Sequence, residues 1–270
     1  MAARIPLALP TAPVQVRVVR RLVLLLAGLV AAVPAAAQNP PVGAGGPAGW
    51  SVAGLSPVRV DAAVVLLSDV SSSVNDGEFH LEKQGYRAAF ADPGVIAAIR
   101  SGVRGRIAVA YMEFAGSKQQ RVVVGWTLLA TGHDARGFGQ ALAAAPRSFA
   151  GRTSISGGII AALALLRQAP FVAQRELIDV CGDGANNSGV AIAEARAAAR
   201  RAHVTINALA IINNWPEGYL YGSYQIPGGL AKYFHDKVIG GTGSFVLEAK
   251  NFVSFAKAMR RKLRQEIALR

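Results

Sequence analysis

An apolar run, Val64 to Leu67, stops at one carboxylate and a cluster of hydroxyls: VVLLSDVSSSVND, residues 64–76. Asp69, Ser71 and Ser73 stand in the spacing D-x-S-x-S. In a loop curling about one point these three face inward, and Val70 and Ser72 face away. Two further stretches carry similar donors. GRTSISGGI contains Thr153, and ELIDVCGDGANN carries Asp183 just past an apolar segment. Carboxylate and hydroxyl oxygens are hard ligands that suit Mg2+, Mn2+ or Ca2+ rather than soft metals. Two carboxylates neither neutralise nor enclose such an ion fully, so positions stay open for water or for a ligand's own carboxylate.

Other chemistries fit these residues less well. Ser73 or Asn75 could cap a helix beginning near Asp76, and Ser154 and Ser156 have the same alternative. GDGANNSG, residues 182–189, resembles a phosphate-cradling glycine loop, but it lacks the G-x-G-x-x-G spacing and follows a late strand. An aspartyl nucleophile at Asp69 would want a second acid close by, and residues 70–73 offer none. No G-x-S-x-G elbow surrounds any of the serines. His80, His133, His203 and His235 are scattered, without HExxH or Cys/His pairing, which disfavours a zinc site of the usual kind. Cys181, the one cysteine, has no basic sequence neighbour to activate it and reads as an inert buried thiol. Asp179, inside a strand, reads as a buried structural acid or as a group behind the site.

These residues need elements to position them. Apolar runs at 60–68, 106–115, 119–129, 175–181 and 204–212 read as strands. Segments 78–92, 93–101, 135–145, 154–169 and 190–202 have helical spacing, and 229–238, 243–249 and 251–268 complete the chain. Gly116–Lys118 is short enough for a hairpin. Strands alternating with helices predict an α/β fold: a doubly wound, mainly parallel sheet with one antiparallel edge strand and helices on both faces. Ligands of such sheets sit at the carboxyl ends of strands, where Asp69 and Asp183 fall.

The three loops, in this order and approximate spacing, resemble the metal-ion-dependent adhesion site of von Willebrand factor type A domains. The likeness spans residues 58–270, and ELIDVCGDGANN looks like an exported bacterial branch of that fold to which no activity is attached. The resemblance implies a Rossmann-like domain whose metal is held by Asp69, Ser71, Ser73, Thr153 and Asp183, with a partner's carboxylate completing the shell. Cys181 stands where a small polar residue is common in the family.

Composition bounds the rest. The 270 residues are 52% hydrophobic and 17% charged, ample for a large core. Residues 1–37 combine Arg4, Arg17, Arg20 and Arg21 with an apolar stretch and an A-x-A site at Ala35–Ala37, the pattern of a cleaved Sec-type signal peptide. The apolar stretch is short of the roughly 20 residues needed to span a bilayer. Residues 38–57 read as a Gly/Pro/Ala-rich linker. The net charge of +13 falls to +9 without the four leader arginines and favours anionic partners in general. No basic block is interleaved with aromatics, which speaks against nucleic acid. The basic stretch KAMRRKLRQ reads as the solvated face of a helix packed through Phe252, Phe255, Met259 and Leu263, with peripheral contact to acidic lipid as the alternative. The expectation is a periplasmic or secreted, non-enzymatic binding module that uses Mg2+ (or Mn2+/Ca2+) to bind an acidic group of a protein partner. The alternatives are a metal-dependent hydrolase using the same site, or a scaffold of this fold without metal.

Overall fold

The structure, a computed structural model, describes residues 57–212 and 226–268. The expected leader and all of the linker but Pro57 lie outside the described residues. The six strands are β1 (Val58–Asp69), β2 (Ile107–Phe114), β3 (Gln120–Leu129), β4 (Phe171–Gly182), β5 (Thr205–Ile211) and β6 (Val246–Ala249). They form one sheet in the order β3-β2-β1-β4-β5-β6. β3 pairs antiparallel with β2, and the other pairings are parallel. The expected architecture, antiparallel edge strand included, is what the chain adopts.

The continuous apolar character of β1 follows from its central place, because both of its faces are covered. Val64 and Leu66 join Tyr86, Phe90, Phe255 and Met259 in one core layer. Val65 and Leu67 join Ile159, Leu163, Val180 and Phe234 in the other. The first layer lies under α1 (Asp76–Phe90), α2 (Pro93–Arg100), α3 (Gly132–Ala144) and α7 (Phe255–Ala268). The second lies under α4 (Ile155–Arg167), α5 (Ile192–Arg201) and α6 (Gly229–Tyr233).

Boundaries differ from the expected ones where polar chemistry decides them. β4 begins at Phe171, not at residue 175, because it pairs with β1 from Val58↔Phe171 onward. That extension, residues 171–174, alternates between half-buried and exposed positions and lacks the fully buried run that ends the strand. α3 begins at Gly132, three residues early, because Thr131 and Asp134 form a reciprocal capping box. The segment 229–238 divides into α6 and a π-helical turn, Phe234–Val238. Among the described residues no helix is long and apolar enough to cross a membrane.

The chain leaves β1 toward β2 and β3 on one side and returns to β4 on the other. The carboxyl ends of β1 and β4 therefore flank the point where the strand order reverses. Ser68 lies level with Cys181, and Asp69 with Phe114. Gly182 makes this approach feasible: a Cβ there would stand 3.2 Å from that of Asp69.

Candidate metal centre

Beyond Asp69 the chain turns through Val70–Asn75 before α1. Two backbone bonds pin that turn: Val70 N–H donates to Phe114 O and Ser72 N–H to Gly151 O, each at 2.9 Å. The second brings the loop before α4, and with it Thr153, alongside. Ser71 N–H donates to Asp69 Oδ1 at 2.8 Å. The hydroxyls of Ser71 and Ser73 are 3.1 Å apart. Thr153 Oγ1 donates to Ser71 Oγ at 3.0 Å, and Ser73 Oγ donates to Asp183 Oδ1 at 2.7 Å. All five sequence-derived residues thus join one hydrogen-bonded cluster, although 110 positions separate Ser73 from Asp183. Asp69, Ser71, Thr153 and Asp183 are buried, Ser73 is half-buried and Ser72 is exposed.

The capping alternative is decided residue by residue. Asn75, not Ser73, caps α1, in a box with Glu78. Ser154, not Ser156, caps α4, accepting from Gly157 N–H at 3.2 Å, as the capping alternative expects for it. The neighbours cap the helices, which leaves the cluster hydroxyls for other work.

The cluster has supports that the sequence reading did not single out. Thr153 N–H donates to Asn187 Oδ1 at 2.9 Å, and Ser156 N–H to Asn186 Oδ1 at 2.9 Å. Asn186 N–H donates to Tyr233 Oη at 3.2 Å. The Asn-Asn pair behind Asp183 was the available signal. Below the cluster, the Ser68 hydroxyl donates to Glu82, a buried acid whose pKa burial pushes up to about 8. Glu113 pairs with Lys83 at 2.7 Å and accepts from Ser148 N–H at 2.8 Å. No sequence signal marks these three, since a charged residue in a helix or strand ordinarily faces water.

The electrostatics of the cluster point the same way. Asp69 Oδ2 is buried and has no hydrogen-bond partner among the described residues. Burial first, and then the Asp183 carboxylate, push the Asp69 pKa up to about 7, against the opposing bonds from Ser71 and the charge of Arg147. A buried acceptor without a partner is costly. A cation beside it would satisfy the oxygen and offset the repulsion between the two acids. Among the described residues no three His, Cys, Asp or Glu side chains gather as a metal site. The donors here are two carboxylates and three hydroxyls, which fit a hard divalent ion.

Residues 59–270 match the model of a family described as "Protein of unknown function (DUF1194)". The chain belongs to that family. This DUF1194 chain has the von Willebrand factor type A fold that its motifs resemble. It is similar to proximal thread matrix protein 1 from the mussel byssus, solved with a zinc-occupied MIDAS motif, at 17% identity and TM-score 0.51, over 77% of this chain and 46% of that one. It is also similar to the pilus adhesin SpaC from Lactobacillus rhamnosus GG, at 12% identity and TM-score 0.54, over 78% of this chain and 31% of the adhesin. A von Willebrand factor type A protein from Catenulispora acidiphila aligns at 16% identity and TM-score 0.47, over 77% of this chain and 42% of that one. The DUF1194 chain thus spans less than half the length of these solved chains. No curated protein matches it.

Proposed function

We propose that residues 58–270 form an exported, non-enzymatic binding domain, periplasmic or secreted, that holds a divalent metal and through it binds an acidic group of a protein partner. Asp69, Ser71, Ser73, Thr153 and Asp183 would hold the ion, with Mg2+ the first choice and Mn2+ or Ca2+ the alternatives. The observation that carries this reading is Asp69 Oδ2, a buried carboxylate oxygen without a partner among the described residues. The bound ion would supply a positive anchor for a carboxylate from the partner. The chain's own part is to hold three hydroxyls and two carboxylates close together and to keep water away from all but the open side. The zinc-occupied MIDAS motif of the byssus protein and the adhesin neighbour support a binding role. They share too little sequence with this chain to indicate a partner.

A hydrolase would need a general base at this edge. His203 lies at the opposite, amino edge, where β5 begins, and His80, His133 and His235 are exposed on α1, α3 and the π-helical turn. The binding reading is therefore the better supported.

The test is calorimetric titration of the protein with Mg2+, Mn2+, Ca2+ and Zn2+, alongside Asp69→Ala. Wild type is expected to bind at least one of these ions, with affinity at least ten-fold lower in Asp69→Ala. Equal behaviour of the two proteins, or binding by neither, would overturn the assignment.

A further inference from the structure

A recess of the domain lies at the edge opposite the five-residue cluster. A cleft of about 640 Å3 opens where β4 and β5 begin, between the end of α5 and the loop 240–243. That volume falls within the range of small-molecule sites. From this edge to Asp183 runs about 25 Å of β4, at roughly 3.3 Å per residue. The two sites are therefore physically separate.

Five ionisable side chains line the cleft: Arg175, Arg200 and His203, with the carboxyl groups of Glu176 and Glu266. Arg175 is half-buried, and its guanidinium donates to Glu266 O at 3.0 Å and Ile267 O at 3.2 Å, the last carbonyls of α7. Burial lowers its pKa, and the charges of Asp61 and Glu266 oppose that shift in part. His203 is the one non-glycine residue with positive φ, 58°, among the described residues. It follows α5 at a position where glycine is the unstrained choice. A left-handed histidine at the mouth of a cleft points to a use for the imidazole there. Arg200 also complements the negative carboxyl end of α5, as Arg175 does that of α7.

The opposite wall is the loop Gly240-Gly241-Thr242-Gly243. Gly241 and Gly243 have φ of 95° and 70°. A side chain at Gly241 would collide with Thr205, 2.8 Å from its Cα. Backbone turned in this way can present successive N–H groups to an anion. Between these walls stand Glu176 and Thr205, oxygen groups suited to hydroxyls rather than to a second anion, while the Glu266 carboxyl at the cleft is held by Lys262 and Asn207.

We propose that this cleft binds a small phosphate ester, with its phosphate held by Arg175, Arg200, His203 and the 240–243 loop, and its hydroxyls held by Glu176 and Thr205. Forked guanidinium groups match phosphate oxygens in pairs. The site stands independently of the metal proposal.

The experiment is calorimetric titration of the purified protein, in EDTA, with ribose 5-phosphate, inorganic phosphate and succinate. Both phosphate compounds are expected to bind, the ester more tightly, with affinity falling as salt rises and succinate at least ten-fold weaker. Arg200→Gln is expected to weaken ribose 5-phosphate at least ten-fold, and Asp69→Ala to leave it unchanged. Arg200 is exposed, so its loss does not endanger folding as Arg175→Gln would. His203→Gly is expected to raise the Tm while lowering affinity. Failure of both phosphate compounds to bind, equal affinity in Arg200→Gln, or succinate binding as tightly as phosphate would overturn the proposal.

Discussion

Asp69 is 1% exposed, stands beside a second carboxylate and has one oxygen without a partner among the described residues. In the absence of a cation this arrangement works against folding, because the unfolded chain ionises Asp69 near its ordinary value and the folded chain resists doing so up to about 7. Asp69→Asn keeps the shape and removes the charge, and its Oδ1 can still accept from Ser71 N–H. At pH 8 in chelator this variant is expected to be more stable than wild type by about 1–3 kcal/mol. In excess metal the order should reverse. Urea unfolding under both conditions checks this, and a variant less stable than wild type in chelator would sink the idea of a strained site. The five cluster residues were legible in the sequence because each follows a strand or precedes a helix and has a chemistry that a core does not need. Asn186, Asn187, Glu82 and Glu113 were not, because their roles depend on partners 30 to 35 positions distant, or on burial that a linear reading does not give.

Among the elements, α7 departs most from its sequence pattern. Phe252, Phe255, Met259 and Leu263 are buried, as the apolar spacing predicts, with Phe252 in the short turn just before the helix. Lys262, however, counted with the basic face, is fully buried. It reaches Asp179 of β4 at 2.5 Å and Glu266 at 2.7 Å, and Asn207 Nδ2 donates to Glu266 at 2.7 Å. The strand acid at 179 is thus a structural partner of α7. The periodicity of α7 identified its core face. It could not show that a lysine on the helix would find two acids inside. One cation cannot balance two buried carboxylates, so one acid keeps its proton, and burial followed by the Asp179 charge pushes the Glu266 pKa up to about 8. The sign follows. Unfolded Glu266 loses its proton near 4.5 and folded Glu266 near 8, so the stability from this group is complete below about pH 4.5 and is lost as the pH rises toward 8. Glu82, raised in the same direction, adds to the trend. The urea midpoint of wild type is expected to fall between pH 5 and pH 8.5, and Glu266→Gln to flatten that slope. An identical slope in Glu266→Gln would show that the proton resides elsewhere.

For the whole molecule, the doubly wound topology converts sequence distance into proximity. β1 occupies the middle of the sheet and β4 returns beside it, so the donors after both strands meet at the reversal of strand order. Alternating strand and helix patterns made the fold class readable. The order of the strands was not, because parallel pairing leaves no local signal of which neighbour a strand takes. The consequence for stability is global. Asp69, Ser71, Ser73, Thr153 and Asp183 come from three separate loops, and the unfolded chain cannot gather them. An ion bound there therefore acts on the folded state alone. By mass action, free Mg2+ at 100 times its dissociation constant is expected to stabilise the domain by about 2.7 kcal/mol. For a domain of this size that corresponds to a rise in Tm of about 5–10 °C. The rise should grow with the logarithm of metal concentration, vanish in EDTA, and leave the urea m-value unchanged, since the same surface is exposed on unfolding. Asp69→Ala and Asp183→Ala should lack it, whereas Arg200→Gln, at the opposite edge, should retain it. A Tm rise of equal size in Asp183→Ala would mean that the ion binds elsewhere on the surface and that the three loops do not form the site.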